Sequence, residues 1–283
     1  MKKEIEIILG HNQFLKIDHK SEHQVRKSKT DKTRIQNLIK YALKIGYDGF
    51  MLSTHPEANK IYGNLLIKNP KQKNIHLLVP YANKYNIKLN QKGFLGFGLD
   101  ILKSLNFKSI FNLFYYFAKL IPIVGFGVSV ILDLELKNYE KSKIKCLYLH
   151  EVVTDILISL NLRSFMGAYI LYCKKNNFEV GLATRNFVIL EKFLKKNNIL
   201  VDRVLTHLNF KGFNMNPSKE AVERQLKTPY IKKIIAMSVF GSGNINNIKK
   251  IKYYIKKLKK IDGIIVGTKK QKNIKKNLSF KYV

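Results

Sequence analysis

The chain has 283 residues, of which 46% are hydrophobic, enough apolar material for one large domain or two small ones. Lys and Arg number 52 against 19 Asp and Glu, which gives a formal net charge of +33. The two cysteines, Cys146 and Cys173, are too few for a disulfide framework and lack the spacing of a zinc site, which excludes both classes. The start, MKKEIEIILG, lacks the apolar core of a signal peptide, so we expect a cytoplasmic protein.

Short apolar runs alternate with helical patterns along the whole chain. The runs are rich in Ile, Val and Leu without polar alternation, which is typical of parallel strands buried on both faces. They are EIEIIL (4–9), GFMLS (49–53), IHLLVP (75–80), IKCLYL (144–149), EVGLA (179–183), DRVLT (202–206), KIIAMS (233–238) and GIIVG (263–267).

Helical patterns fall between these runs. Apolar residues recur at helical spacing over 35–43, before the stop signal Gly46, and again after the cap candidate Asn186 and over 248–258. Eight strand–helix units imply right-handed crossovers and a parallel sheet. They predict an α/β fold, a closed (β/α)8 TIM barrel forming one domain over residues 1–283. A doubly wound open sheet is the alternative.

Residues 91–140 form a long insertion, rich in Phe and Ile, between the third and fourth strands. A membrane span needs about 20 uninterrupted apolar residues, and Lys108, Asn112, Lys119 and Pro122 interrupt this segment. We therefore predict one or two amphipathic helices that cap the barrel mouth, with peripheral membrane contact as the alternative.

The excess of lysine does not favour nucleic acid as a partner. The lysines occur mainly on polar helix faces and in loops, and the sequence has no RNA-binding aromatic motif, zinc finger or basic zipper. Because Lys, Ile and Asn are abundant throughout, we attribute the charge to composition.

The carboxyl ends of the strands are where such barrels carry their chemistry. Four of the seven histidines fall at these ends, and imidazole suits proton transfer because it titrates near neutral pH. The candidate catalytic residues are His11, His55, His150, Glu151 and Arg185. Further polar residues at the same ends are Glu57, Tyr81, Asp155, Thr184, His207 and Asn209. No HxH or HExxH spacing occurs, so no metal site is predicted.

The loops after strands seven and eight often hold phosphate in this fold. Here they read SVFGSGNI and VGTKKQKNI, in which glycines allow the backbone to approach a ligand and a helix begins near Lys269. The candidate phosphate or cofactor contacts are Ser242, Gly243, Gly267, Thr268, Lys269 and Lys270.

Residues 144–283 resemble the aldo-keto reductases, which are NADP-dependent barrels. LYLHEV, with His150, is similar to the Leu-x-His end of their fourth strand, and VGLATRNF, with Asn186, to the end of their fifth. SVFGSGNI and IVGTKKQKNIKKNL resemble the turns after their seventh and eighth strands, the last through Gly267, Thr268, Lys269, Lys270 and Asn277.

The resemblance implies NADP across these two loops. It places His150 beside the substrate carbonyl, Asn186 at the nicotinamide amide, and the final loop with Asn277 at the adenosine 2′-phosphate and adenine. The family's Asp after the second strand and Lys after the third have no counterpart in FMLSTHP and IHLLVPYA, and Tyr62 lies too far along to assign as the family's proton donor.

Three functions stay open. The first is an oxidoreductase of this type that uses NADP(H) and acts on a small carbonyl or alcohol substrate. The second is a phosphate-ligand lyase or isomerase, in which His150, Glu151 and His55 move protons while Arg185 holds an enolate or carboxylate. The third is a non-catalytic barrel that binds an anionic partner or a membrane.

Overall fold

Eight parallel strands close into a barrel in the computed structural model, which describes residues 3–14, 32–55, 58, 75–81 and 123–282. Each strand pairs with the next along the chain, and the eighth pairs with the first. The strands are β1 (Glu6–Gly10), β2 (Gly49–Ser53), β3 (Ile75–Val79), β4 (Ile144–Leu149), β5 (Glu179–Thr184), β6 (Arg203–His207), β7 (Lys233–Met237) and β8 (Gly263–Gly267). The predicted (β/α)8 barrel is confirmed, and closure excludes the open sheet.

Eight α-helices of the described residues surround the barrel. They are α1 (Lys32–Lys44), α2 (Ile123–Leu136), α3 (Glu151–Ser159), α4 (Arg163–Lys175), α5 (Phe187–Lys196), α6 (Lys219–Gln225), α7 (Ile248–Leu258) and α8 (Gln271–Asn277). Short 3-10 turns occupy Lys141–Lys143, Gly241–Gly243 and Leu278–Lys281. The helices predicted over 35–43, after Asn186 and over 248–258 correspond to α1, α5 and α7.

The strands bury both faces, which explains why their sequences lack polar alternation. One face packs against the helices in the main core, and the other fills the barrel interior. The interior cluster takes alternate residues from the strands: Ile8, Met51, Cys146, Tyr148, Ala183, Leu205 and Ile235. By the same alternation, the residues at the carboxyl ends that continue the inward positions of β4 and β6 are His150 and His207.

The ring of Tyr148 lies across Gly181 inside the barrel. A Cβ at Gly181 would be 2.5 Å from Tyr148 Cδ1 and 2.8 Å from Cys146 Sγ. We expect Gly181→Ala to lower the free energy of unfolding by about 1–3 kcal/mol, because an overpacked core must displace its neighbours. Gly167→Ala is the matched control, since a Cβ there meets nothing within 4 Å and Ala favours a helix interior. Urea denaturation of both variants tests this, and equal midpoints would contradict it.

A charged cluster fills the barrel interior at the amino ends of the strands. Arg203, which is 0% exposed, donates to Glu6 (Nη2–Oε1, 3.1 Å) and to Glu179 (Nη2–Oε1, 3.4 Å). Because β1 and β6 are not neighbours in the barrel, the pair of Arg203 with Glu6 crosses its interior. Lys145 adds a second cation to Glu6 at 3.1 Å. Burial alone would raise the pKa of Glu6, but the hydrogen bonds and charges of Arg203 and Lys145 lower it to about 2.

Residues 123–140, the part of the predicted insertion that the structure describes, belong to the outer helical layer. Helix α2 packs against α4, and Tyr172 on α4 donates its hydroxyl to Asp133 at 2.6 Å. Residues 91–122 lie outside the described residues, so the cap over the barrel mouth and its contact with a membrane stay predictions. Across the described ranges, none of the helices combines the length and the apolar character needed to cross a membrane.

Candidate functional site

Glu151 joins the ends of four neighbouring strands. Its Oε1 accepts from Arg185 (Nε, 2.8 Å; Nη2, 2.5 Å), and its Oε2 pairs with His207 Nε2 at 3.1 Å. The other ring nitrogen of His207 lies 2.9 Å from Ser238 Oγ. These four residues, which we call the polar row, follow or end β4, β5, β6 and β7. The sequence placed Glu151 and Arg185 among the catalytic candidates but left His207 outside that set and did not consider Ser238.

The polar row keeps Glu151 ionised. Burial alone would raise the pKa of this carboxyl, but hydrogen bonds and charges from His207 and Arg185 lower it to about 2. Arg185 is the exposed end of the row, whereas His207 is buried. The row is therefore a fixed array of opposite charges along one side of the barrel mouth.

His150 caps helix α3 with one ring nitrogen. Its Nδ1 accepts from Val152 N at 3.3 Å, so the neutral imidazole carries its proton on Nε2. Burial lowers the pKa of His150, the charge of Glu151 opposes that change, and the charge of Arg185 adds to it. A neutral imidazole in this tautomer can donate a hydrogen bond from Nε2.

A second group of rings lies at the ends of β1, β2 and β3. His11 is buried, with Nδ1 3.3 Å from Ser53 N and Nε2 3.2 Å from Ser53 Oγ. Burial and the nearby charge of His55 lower the pKa of His11 to about 3. The ring of His55 meets that of Tyr81 edge to face, with centroids 4.6 Å apart. His11, His55, His150 and His207 therefore lie on the carboxyl rim, as the sequence predicts.

Asn186 is held beside the polar row by Asp155. Its Nδ2 donates to Asp155 Oδ2 at 2.9 Å, and Thr184 Oγ1 donates to the same carboxyl. Burial raises the pKa of Asp155, against the hydrogen bonds that Thr184, Arg185 and Asn186 supply. The amide nitrogen of Asn186 is thus engaged within the protein, which fixes the orientation of its Oδ1.

The loop after β7 uses the backbone N–H groups that the sequence predicts to be open to a ligand: Gly241 N donates to Ser238 O at 2.7 Å and Gly243 N to Phe240 O at 2.9 Å. Gly241 and Gly243 have φ of 51° and 83°, and Ser242 between them has φ of 54°. After β8, Thr268 is buried, and its Oγ1 accepts from Lys270 N at 3.2 Å, which shapes the turn into α8. The side chains of Lys269 and Lys270 are exposed beyond this turn, and Gly267 precedes it.

Asn277 lies at the opposite end of α8 from the loop after β8. It is the last residue of α8, and it is buried in a hydrogen bond with the hydroxyl of Tyr47, which precedes β2. Because the strands are parallel, the approach to β2 is at the amino face of the barrel, opposite the rim. We expected Asn277 to contact a cofactor adenine, but its buried side chain instead supports the packing of α8 on the barrel.

Glu135 is a rim residue that no sequence pattern identifies. It lies in the apolar stretch of α2, is 3% exposed, and accepts hydrogen bonds from Thr54 Oγ1 and from Tyr81 N, the latter at 3.2 Å. Its carboxylate thus ties the ends of β2 and β3 together. Asn209 is also structural, since its side chain bonds both backbone groups of Phe213.

Two further predictions concern the limits of the site. Glu57 and Tyr62 lie outside the described residues. Within the described part of the chain, no group of three or more His, Cys, Asp and Glu is arranged to hold a metal ion.

No protein-family model matches the sequence, and no curated protein matches it either. Solved structures do match. A protein from Pseudomonas aeruginosa designated an aldo-keto reductase is 13% identical, with a TM-score of 0.64 over 97% of this chain and 88% of that one. An aldo-keto reductase from Bacillus halodurans, solved in its holo form, is 10% identical, with a TM-score of 0.54 over 99% and 86%.

A third similar structure carries a cofactor. A variant of the protein Gox0644, solved in complex with NADPH, is 10% identical, with a TM-score of 0.54 over 99% of this chain and 88% of that one. Identities this low establish a common architecture and nothing finer. The chain therefore has the (β/α)8 barrel fold that these aldo-keto reductases share.

Proposed function

We propose that this chain is an oxidoreductase that uses NADP(H) and acts on a small carbonyl or alcohol substrate. The observation that carries the proposal is the tautomer of His150, whose Nδ1 accepts from Val152 N at 3.3 Å, so the neutral ring at this inward position after β4 keeps its proton on Nε2. A donor fixed in this way stabilises negative charge as it develops on a carbonyl oxygen. The holo aldo-keto reductase and the NADPH complex with the same fold support this choice of chemistry.

The rim residues fit a nicotinamide dinucleotide at two places. Asn186, whose amide nitrogen is held by Asp155, can present its Oδ1 to the amide of a nicotinamide ring. The hydroxyl of Ser242 and the exposed cations of Lys269 and Lys270 would contact its phosphates, in loops that also contain Gly243, Gly267 and Thr268. When bound, NADPH supplies the hydride, so the task of the protein is orientation and charge.

The rim also has to deliver a proton to the reduced oxygen. His207 is our candidate, acting through Ser238: its Nε2 is held by Glu151, and its Nδ1 lies 2.9 Å from Ser238 Oγ, whose hydroxyl can give a proton to the oxygen while it takes one from the ring. Arg185 and Glu151 fix the orientation of that ring. His55 and Tyr81, on the opposite side of the mouth, are the rings against which a small substrate would pack.

One observation favours the lyase or isomerase alternative. The ends of β2 and β3 carry Thr54 and Tyr81, both bonded to Glu135, where aldo-keto reductases have their Asp and Lys. Proton transfer by His150 and by the polar row, with a substrate phosphate on the last two loops, needs neither of those residues.

Thermal unfolding with added ligands separates the two. We expect NADPH at a hundredfold excess over its Kd to stabilise the protein by about 2.7 kcal/mol, and glucose 6-phosphate to have no comparable effect. Lys270→Glu should abolish the NADPH response, because an anion would then meet a carboxylate. Lys275→Glu, an equal charge change further along α8, should leave it intact. Stabilisation by sugar phosphate alone would reject the oxidoreductase in favour of the alternative.

A further inference from the structure

Two clefts lie on the outside of the barrel, one on each side of helix α7. Their volumes are about 470 Å³ and about 520 Å³. Tyr253 and Lys257 line both clefts, so the two form one continuous surface, which we call the α7 face. None of the rim residues lines it, and it is separate from the candidate active site.

The α7 face is strongly basic. Four lysines line each cleft and Lys257 is shared, which makes seven: Lys3, Lys219, Lys249, Lys250, Lys256, Lys257 and Lys259. Glu223 is the one acidic residue among the described residues that line the clefts, and it is paired with Lys219 at 3.2 Å. Lys3 is paired with Asp262 at 3.0 Å. The five remaining lysines leave a concentrated positive field along the helix.

An exposed aromatic ring sits at the centre of this charge. Helix α7 packs Ile251 and Ile255 into the core, which turns Tyr253 outward, where it is 73% exposed. Lys250 and Lys257 are three residues before and four residues after Tyr253, so all three side chains share one face of the helix. A large exposed aromatic side chain flanked by cations is the combination that holds stacked bases beside phosphates.

We propose that the α7 face binds single-stranded nucleic acid, with phosphates in the lysine-lined clefts and a base stacked on Tyr253. The shape favours a strand over a bilayer, because the lysines line two hollows around a ring and do not form a flat apolar surface. A second copy of this chain, with its own charge of +33, would be repelled. The sequence did not favour this partner, because lysines are abundant throughout and no nucleic-acid-binding motif occurs; the fold adds the clefts, with Lys3 and Lys219, to the lysines of 249–259.

Fluorescence anisotropy of a labelled oligothymidine of about 20 nucleotides, with the full chain, tests the proposal. Tyr253→Ala changes no charge, and we expect it to weaken binding by at least about fivefold through lost stacking. The triple variant Lys249→Gln, Lys250→Gln, Lys257→Gln should also weaken binding. Its plot of log affinity against log salt should be shallower by about 2, the slope expected for three lost phosphate contacts to a single strand.

The matched control removes the same charge elsewhere. The control lysines are exposed on α5: Lys192, Lys195 and Lys196. Changing all three to Gln should lower the affinity by no more than about twofold, through the lower net charge alone. Equal losses in the two triple variants, or no loss in Tyr253→Ala, would mean diffuse attraction and would overturn the proposal. So would equal or tighter binding to phosphatidylserine vesicles that is insensitive to Tyr253→Ala. The NADPH response should not change in these variants, which separates this face from the proposed active site.

Discussion

Replacing His150 by Asn is expected to lower kcat/KM for carbonyl reduction by about 100-fold to 10,000-fold, with the loss mainly in kcat. The hydrogen bond from Nε2 would be made to charge that appears only in the transition state, and removing such a bond affects the chemical step more than substrate binding. NADPH consumption with a panel of small aldehydes measures it.

The choice of Asn separates chemistry from folding. His150 also caps α3 through Nδ1, and the Asn side-chain oxygen can accept the same hydrogen bond from the helix. His150→Asn should therefore keep the wild-type unfolding midpoint and NADPH stabilisation, whereas His150→Phe should lose activity and about 1 kcal/mol of stability. An active His150→Asn enzyme would remove this residue from the mechanism.

Replacing Arg203 by Met is expected to lower the free energy of unfolding by about 3 kcal/mol. The change leaves Glu6 and Glu179 facing each other across the barrel interior without the cation that neutralises them. Adding Glu6→Gln and Glu179→Gln to Arg203→Met should recover most of the loss, because no carboxylate is then left without its cation. Urea denaturation at neutral pH measures all three proteins. Lys145→Met, which removes one half-buried partner of Glu6, should cost about 1 kcal/mol or less.

The pH dependence of stability gives an independent check on this cluster. The pKa of Glu6 is about 2 in the folded protein against 4.5 in the unfolded chain, so its contribution is complete above pH 4.5 and is lost as pH falls from 4.5 to 2. Burial, and next the charge of Arg203, lower the pKa of His76 to about 3 from 6.5. That contribution is complete above pH 6.5 and is lost as pH falls from 6.5 to 3.

Arg203→Met should change the loss of stability that comes from Glu6 and leave the loss that comes from the buried histidines. The loss of stability between pH 4.5 and 2 should shrink, because Glu6 no longer gains from ionisation in the folded state. The loss between pH 6.5 and 4.5 should persist, because it comes from buried histidines, including His11 with its pKa of about 3. Retention of the full loss between pH 4.5 and 2 in the variant would show that Arg203 does not set the pKa of Glu6.

The barrel and its rim were predictable because both follow from local pattern. A strand buried on both faces is apolar at almost every position. Runs such as GFMLS and GIIVG can therefore be recognised as strands without knowledge of their neighbours. In a closed parallel sheet all carboxyl ends meet on one edge, so strand order alone places His11, His150 and His207 on one rim.

Helical side chains were harder to place. Glu135 reaches the ends of β2 and β3 from within an apolar helix, and Asn277 is turned toward Tyr47, away from the loops. Neither direction follows from the spacing of residues, because the face that a helix presents depends on how it packs against the barrel.

By itself the sequence determined the succession of strands and helices, and with it the closed barrel and the side on which its polar residues gather. Only the tertiary structure decided which of those residues touch. It paired Arg203 with Glu6 across 197 residues, linked Glu151 to both Arg185 and His207, and added Lys3 and Lys219 to the lysines that surround Tyr253 on its own helix. The physical reason is that periodicity records which face of each element is buried, whereas contacts between elements depend on register, twist and helix rotation, which distant parts of the chain set together.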